Sequence, residues 1–217
     1  LAAMFGFGAG GDPGRPPPAL ERMAGHAAPL APEAPLQRRL PPEARAPIAL
    51  GAGHVAHPSH AFEVTGLVLS RKRYLRGAEA ATSPLDVTLG WGAMSRPDLR
   101  AAARVRQSDR FGFVSWSREG LAAAGVAAEP EAFADQVSAL WSNMHLVPAD
   151  PAVAAALDRI RPGDVVTLTG VLADISGPRG FRWASSTTRT DIGSGACEIL
   201  VVRHVRIGAG VPMADAR

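Results

Sequence analysis

The sequence predicts an α+β fold: an antiparallel, barrel-like sheet with short inserted helices, preceded by a disordered Pro/Ala/Gly-rich tail. Three observations predict it. Prolines and glycines crowd residues 1–58, which carry few large apolar side chains. Runs of strand-forming residues open and close the remainder, at 61–69, 164–172 and 197–207. Between the strands, proline-initiated stretches with apolar residues at helical spacing predict short helices.

The tail comes first. Its prolines remove hydrogen-bond donors and fix φ, so residues 1–58 are expected to be polyproline-like and to act as a flexible tether. The apolar piece 46–50 is expected to dock on the domain. One globular domain then spans 59–208, and 209–217 form a disordered tail. The run from Ala61 to Leu69 predicts the first strand. Ser83-Pro84-Leu85-Asp86 predicts a capped short helix that Gly90-Trp91-Gly92 breaks, and 96–104 predicts another. Phe111 to Trp116 alternates as a second strand. Pro130 opens an amphipathic helix with Phe133, Val137, Leu140 and Trp141 on one face. Asp150-Pro151 starts a helix through Val153, Leu157 and Ile160. The alternating strand at 164–172 turns through Ser176-Gly177-Pro178-Arg179-Gly180 and returns as Phe181-Arg182-Trp183, a hairpin. A last strand covers 197–207.

Composition narrows the function classes. The chain has 217 residues and a formal net charge of only +3, although its pI is 9.9. Its cations are almost all arginine, with Lys72 the one lysine, and they go with abundant Ala, Gly and Pro. That pattern is what a G+C-rich genome produces without any ligand. The one dense basic run is Arg71, Lys72, Arg73 and Arg76, enough for a few phosphate contacts but short of a nucleic-acid stripe. The single cysteine excludes an intramolecular disulfide and a multi-cysteine zinc site. His54, His57 and His60 recur every third residue, but in a polyproline helix neighbours would stand ~9 Å apart, too far to share an ion. No metal and no cofactor is expected.

Two polar segments stand out, each placed where a plain turn would suffice. One runs from Ser142 through Asn143 and His145 to Asp150. The other runs from Ser185 and Ser186 through Arg189, Asp191 and Cys197 to Glu198. Cys197 as nucleophile, His145 as base and Asp191 or Asp150 as orienter would suit covalent catalysis, which needs a thiolate made by an adjacent imidazole. The same segments also suit binding. Hydroxyls of Ser185 and Ser186, Arg189, Asn143 and the glycine amides can receive a phosphate, sulfate or sugar, and Trp183 can stack on a sugar or base.

Together with Ser83-Pro84-Leu85-Asp86 and Gly90-Trp91-Gly92, these segments resemble the signature stretches of an uncharacterised family of proteobacterial hypothetical proteins, over roughly residues 60–206. Its members often carry one N-terminal hydrophobic segment, so the resemblance implies a missing N-terminal anchor and an extracytoplasmic place, periplasmic or inner-membrane-anchored. It implies no activity. The reading that follows is a cell-envelope binding or structural module whose partner is a polar ligand or an envelope protein. Alternatives are a Cys/His-dependent hydrolase or transferase and, after it, an oligonucleotide-binding barrel.

Overall fold

One long strand organises the sheet. The computed structural model describes residues 27–188 and 196–210. In chain order they form β1 (Leu36–Arg39), β2 (Ile48–Gly51), β3 (His54–Arg73), β4 (Leu85–Gly90), α1 (Pro97–Ala102), β5 (Ala103–Ser108) and β6 (Phe111–Trp116). There follow α2 (Arg118–Ala123), α3 (Pro130–Val137), β7 (Trp141–Pro148), α4 (Pro151–Leu157), β8 (Val165–Ser176), β9 (Arg182–Trp183) and β10 (Glu198–Gly208). Strand β3 pairs antiparallel with β8 from Val55 to Leu67 and with β4 from Leu67 to Arg73. Register shifts at Pro58/His60 and Val68/Ser70 let it serve both neighbours, since bulges bend a strand and raise its twist.

The pairings close a ring in the order β3, β4, β7, β10, β8 and back to β3. Only β7 and β10 run parallel; the other pairs in the ring are antiparallel. Closure removes the open edges that a sheet of this size would otherwise present. Along the chain, helix α4 stands between the third and fourth strands of the ring, β7 and β8. Such a ring is a scaffold and carries no activity by itself.

Alternation decides what faces inward. Phe62, Val64, Val87, Leu89, Met144, Leu146, Leu168, Leu172, Leu200 and Val202 fill the barrel. Helix α4 plugs it with Val153 and Leu157, joined by Ile160. That helix starts where expected: the Asp150 carboxylate accepts the Val153 N–H at 2.8 Å and Pro151 stands at its first position. Leu67 and Leu69 turn outward into a second core beneath α1, α2 and α3, where Trp116 meets Phe133 edge to face. A third cluster on the barrel exterior holds Val147, Val171, Ile175, Ile199 and Val201. Leu40, Ile48, Leu50, Phe181 and Trp183 cover it.

Several expectations change. The stretch read as a tether contributes β1, β2 and the start of β3 to the sheet. Its prolines flank the short strands or sit, as Pro58 does, next to a register shift, where a missing N–H costs least. Docking of the 46–50 piece is as expected, through Ile48 and Leu50. Ser83 to Asp86 caps no helix; Leu85 begins β4, fully buried along its length. The polar segment 142–150 is mostly strand β7 rather than a loop. Leu140 and Trp141 fall outside α3, in a 3-10 turn and at the start of β7. Residues 1–26, 189–195 and 211–217 lie outside the described residues, and with them Arg189 and Asp191.

Candidate functional site

Strands β4 and β7 carry their apolar residues inward, which leaves Asp86, Thr88, Asn143 and His145 on the outer face of the barrel. Asp86 pairs with His145 in the ladder and Thr88 with Asn143. All four are nonetheless buried, because the β5–β6 hairpin lies over them. Its tip is the two-residue turn Asp109-Arg110, with Ser108 facing Phe111. Both turn residues have positive φ, 48° and 69°, as a hairpin of this length requires. Neither is glycine, so the conformation costs of the order of 1–3 kcal/mol each and persists only where surrounding contacts hold it.

Those contacts centre on Arg110. Its Nη1 donates to Asp86 Oδ1 at 2.7 Å and to the Ser83 carbonyl at 2.9 Å. The guanidinium lies 3.8 Å from the centre of the Tyr74 ring and 5.6 Å from that of Trp183. Nη2 is buried without a hydrogen-bond partner among the described residues, and the ring faces take over part of its solvation. The Arg110 backbone N–H donates to the Tyr74 hydroxyl at 3.1 Å. Burial pushes the Tyr74 phenol up, opposed by the Arg110 N–H, with the Asp86 charge adding to the rise.

His145 Nδ1 stands 3.0 Å from Asp86 Oδ2, within ion-pair reach. The alignment is poor for a hydrogen bond, and neither atom makes one elsewhere among the described residues. The imidazole packs at 4.5 Å against the Trp183 ring and is 3% exposed. Asn143 ties hairpin to barrel. Its oxygen accepts from Thr88 Oγ1 at 3.2 Å and Gln107 Nε2 at 2.6 Å, while its amide donates to the Arg110 carbonyl at 2.9 Å. Cys197 precedes β10 by one residue and falls beside Asn143, with its sulfur 3.9 Å from the amide nitrogen and 3.8 Å from the Arg110 carbonyl.

The two polar segments are therefore neighbours. Ser186 N–H donates to the Cys197 carbonyl at 3.0 Å, and Ser185 Oγ accepts the Ile199 N–H at 2.9 Å. The structure brings Asn143, His145, Trp183, Ser185, Ser186 and Cys197 to one region. Of the expected orienters, Asp191 lies outside the described residues and Asp150 caps α4, so the carboxylate behind His145 is Asp86. Next to Trp183 opens a cavity of about 290 Å³ lined by His57, Asp174, Ser176, Arg182 and Trp183. His57 Nε2 is 2.8 Å from Ser176 Oγ, and Asp174 accepts the Ser185 N–H at 2.9 Å.

Sequence reasoning placed Asp86 in a helix cap and Tyr74 in the basic run, and passed over Thr88, Gln107 and Arg110. A signal existed. Asp86 and Thr88 alternate with Leu85, Val87 and Leu89, a strand with one polar face, and Asp109-Arg110 sits between two alternating runs. The three histidines diverge along β3: His54 is buried against Phe181, His57 meets Ser176 and His60 meets Ser59. Among the described residues no group of His, Cys, Asp or Glu is placed to hold a metal ion, and no helix is long and apolar enough to cross a membrane. Comparison with protein-family models, curated proteins and solved structures gives no match to this chain.

Proposed function

We propose that this chain is a binding module that takes a polar ligand with an apolar face, a saccharide, at the cavity beside Trp183. The observation that carries the reading is the way Trp183 is held. Its indole is backed by the enclosed His145 and lies near Arg110, which the buried Asp86 holds, so it is set before any ligand arrives. Pre-set aromatic surface loses little entropy on binding. At the rim, Arg182, Asp174, Ser176 and His57 supply donors and acceptors of both kinds. An aromatic plane with such a rim suits a sugar ring. With this reading goes an envelope placement, which the resemblance of the two polar segments supports.

The test follows the indole N–H of Trp183 by NMR, assigned with Trp183→Phe, during titration with neutral and acidic mono- and disaccharides. Saturable shifts at Trp183 that Arg182→Ala weakens by roughly tenfold, the worth of one charge-assisted hydrogen bond, are the expected result. Shifts absent for every sugar, or unchanged in Arg182→Ala, would sink the proposal.

One observation favours a Cys/His-dependent hydrolase or transferase as a second reading: Asp86, His145 and Cys197 share a sheet face, with the carboxylate behind the imidazole. Against it, Arg110 already claims that carboxylate and the imidazole is enclosed. Alkylation of Cys197 that is fast well below pH 8 and slows in His145→Ala would bring this reading forward. Slow alkylation unchanged by the variant removes it.

The oligonucleotide reading loses its usual surface. The second and third barrel strands, which such barrels use as a binding face, lie under the chain's own hairpin, with Gly112 against Asn143 and Thr88.

A further inference from the structure

The basic run of the sequence divides when β3 is built. Alternation sends Lys72 toward the hairpin, where its ammonium donates to the Gln107 carbonyl at 3.3 Å and lies 5.3 Å from the centre of the Tyr74 ring. Arg71 and Arg73 take the other side and meet the turn after α4. There Arg73 pairs with the Asp158 carboxylate, and Arg71 Nη2 stands 3.8 Å from it and 3.5 Å from the Asp158 carbonyl. From the turn itself, Arg161 folds back and donates to the Asp158 and Ile160 carbonyls at 2.6 and 2.9 Å. Asp164 accepts the Arg161 backbone N–H at 2.7 Å, and Arg159 lies exposed between them.

The charges do not balance. Three guanidiniums converge where one half-exposed carboxylate, Asp158, pairs side chain to side chain. Arg71 Nε is buried and has no hydrogen-bond partner among the described residues, and an unmet buried donor is destabilising. Burial lowers the Arg71 pKa, and the charges of Arg161 and Arg73 lower it further, so the cations repel one another across the site. An anion with several acceptor oxygens relieves both defects.

We propose that Arg71, Arg73 and Arg161 form a binding site for a single phosphate group, carried by a free phosphorylated molecule or a lipid headgroup. Planar guanidiniums match phosphate oxygens in pairs. Asp158 acts as an internal stand-in that an incoming phosphate displaces. The site is compact, one strand end and one turn, whereas nucleic-acid binders neutralise a row of phosphates. Tyr74, the one aromatic of the run, already lies under Arg110. Leu75, 81% exposed two residues beyond Arg73, is the feature that makes a lipid source worth a separate arm. This inference stands apart from the saccharide cavity.

The experiment titrates the full chain with inorganic phosphate, following arginine Nε–H signals by NMR. In parallel it measures co-sedimentation with phosphatidylcholine vesicles with and without phosphatidylglycerol. Saturable shifts at Arg71, Arg73 and Arg161 are expected, weakened roughly tenfold in the Arg73→Gln/Arg161→Gln variant, as loss of charge-assisted bonds implies. Both positions are exposed, so the variant keeps the native thermal midpoint within a few degrees. Asp158→Asn is expected to tighten binding, since it removes the competitor. Sedimentation only with the anionic vesicles, lost in the same variant, assigns the phosphate to lipid; phosphate binding without sedimentation assigns it to a free ligand. The proposal is overturned by absence of saturation in both arms, by binding that the double variant leaves unchanged, by weaker binding in Asp158→Asn, or by a single-stranded oligonucleotide that binds the site where phosphate and vesicles do not.

Discussion

Arg110 occupies a left-handed conformation that its side chain disfavours, and the Asp86 carboxylate, the Tyr74 ring and the Ser83 carbonyl hold it there. Such an arrangement trades local strain for position. What stands beside it is Trp183, its ring centre 5.6 Å from the guanidinium. A simpler ionic contact lies at the entry to α1. Asp98 is half enclosed, and although burial alone would raise its pKa, the Arg96 hydrogen bond, the Leu99 N–H and the Arg96 charge together hold the carboxyl below its ordinary value. A carboxyl depressed on folding stabilises the native state above its unfolded pKa, about 3.9, and the benefit is lost as pH falls through the folded value. Asp98→Asn is therefore expected to lower stability at pH 7 and to converge with the parent protein toward pH 2. Urea midpoints at the two pH values measure this, and a difference that does not shrink on acidification would contradict it.

At the scale of elements, the β5–β6 hairpin is the decisive insertion. It rises between the second and third barrel strands and lies down on their outer face, so that Asp86, Thr88, Asn143 and His145 are sealed though they point away from the barrel interior. Close approach is possible because Gly112 has no side chain. A Cβ there would lie 3.0 Å from both Asn143 Cβ and Thr88 Oγ1. Gly112→Val is expected to lift the hairpin, to cost about 1–3 kcal/mol in urea unfolding, and to speed alkylation of Cys197, which sits against the hairpin tip through the Arg110 carbonyl. Unchanged alkylation with lowered stability would place the cysteine elsewhere than under the tip. Helix α4 was legible from the sequence through Asp150-Pro151 and its apolar spacing, because capping and periodicity are local. The hairpin was half legible: Phe111 to Trp116 alternates clearly, whereas β5 alternates weakly, with Val105 its one large apolar residue.

For the whole molecule, closure of the ring is the feature on which the rest depends. Strand β8 passes close to β10 at Gly170, where an added Cβ would run into the Val201 carbonyl, beside the register shift of β10 at Val202/His204. Gly170→Val cannot keep both strands in register and is expected to cost about 3 kcal/mol or more. Hydrogen exchange should show the loss as lowered protection along β8 and β10 while α1 to α3 keep theirs. Protection lost evenly would mean that the barrel and the helical insertion unfold together.

By itself the sequence determined the α+β class, the barrel-like sheet, α4, the 176–183 turn and the suspicion that segments 142–150 and 185–198 matter, because these rest on periodicity, capping and turn chemistry within a few residues. It also singled out His145, Trp183 and Asn143, which the structure brings into one region. Tertiary structure alone decided that the carboxylate behind His145 is Asp86, since a residue pairs across strands according to register and not according to distance along the chain. It decided as well that residues 36–58 join the sheet, because an edge strand among prolines becomes stable only when a long partner such as β3 is present to receive it. And it parted Lys72 from Arg71 and Arg73, the consequence of a two-residue period that sends neighbours in one basic run to opposite faces.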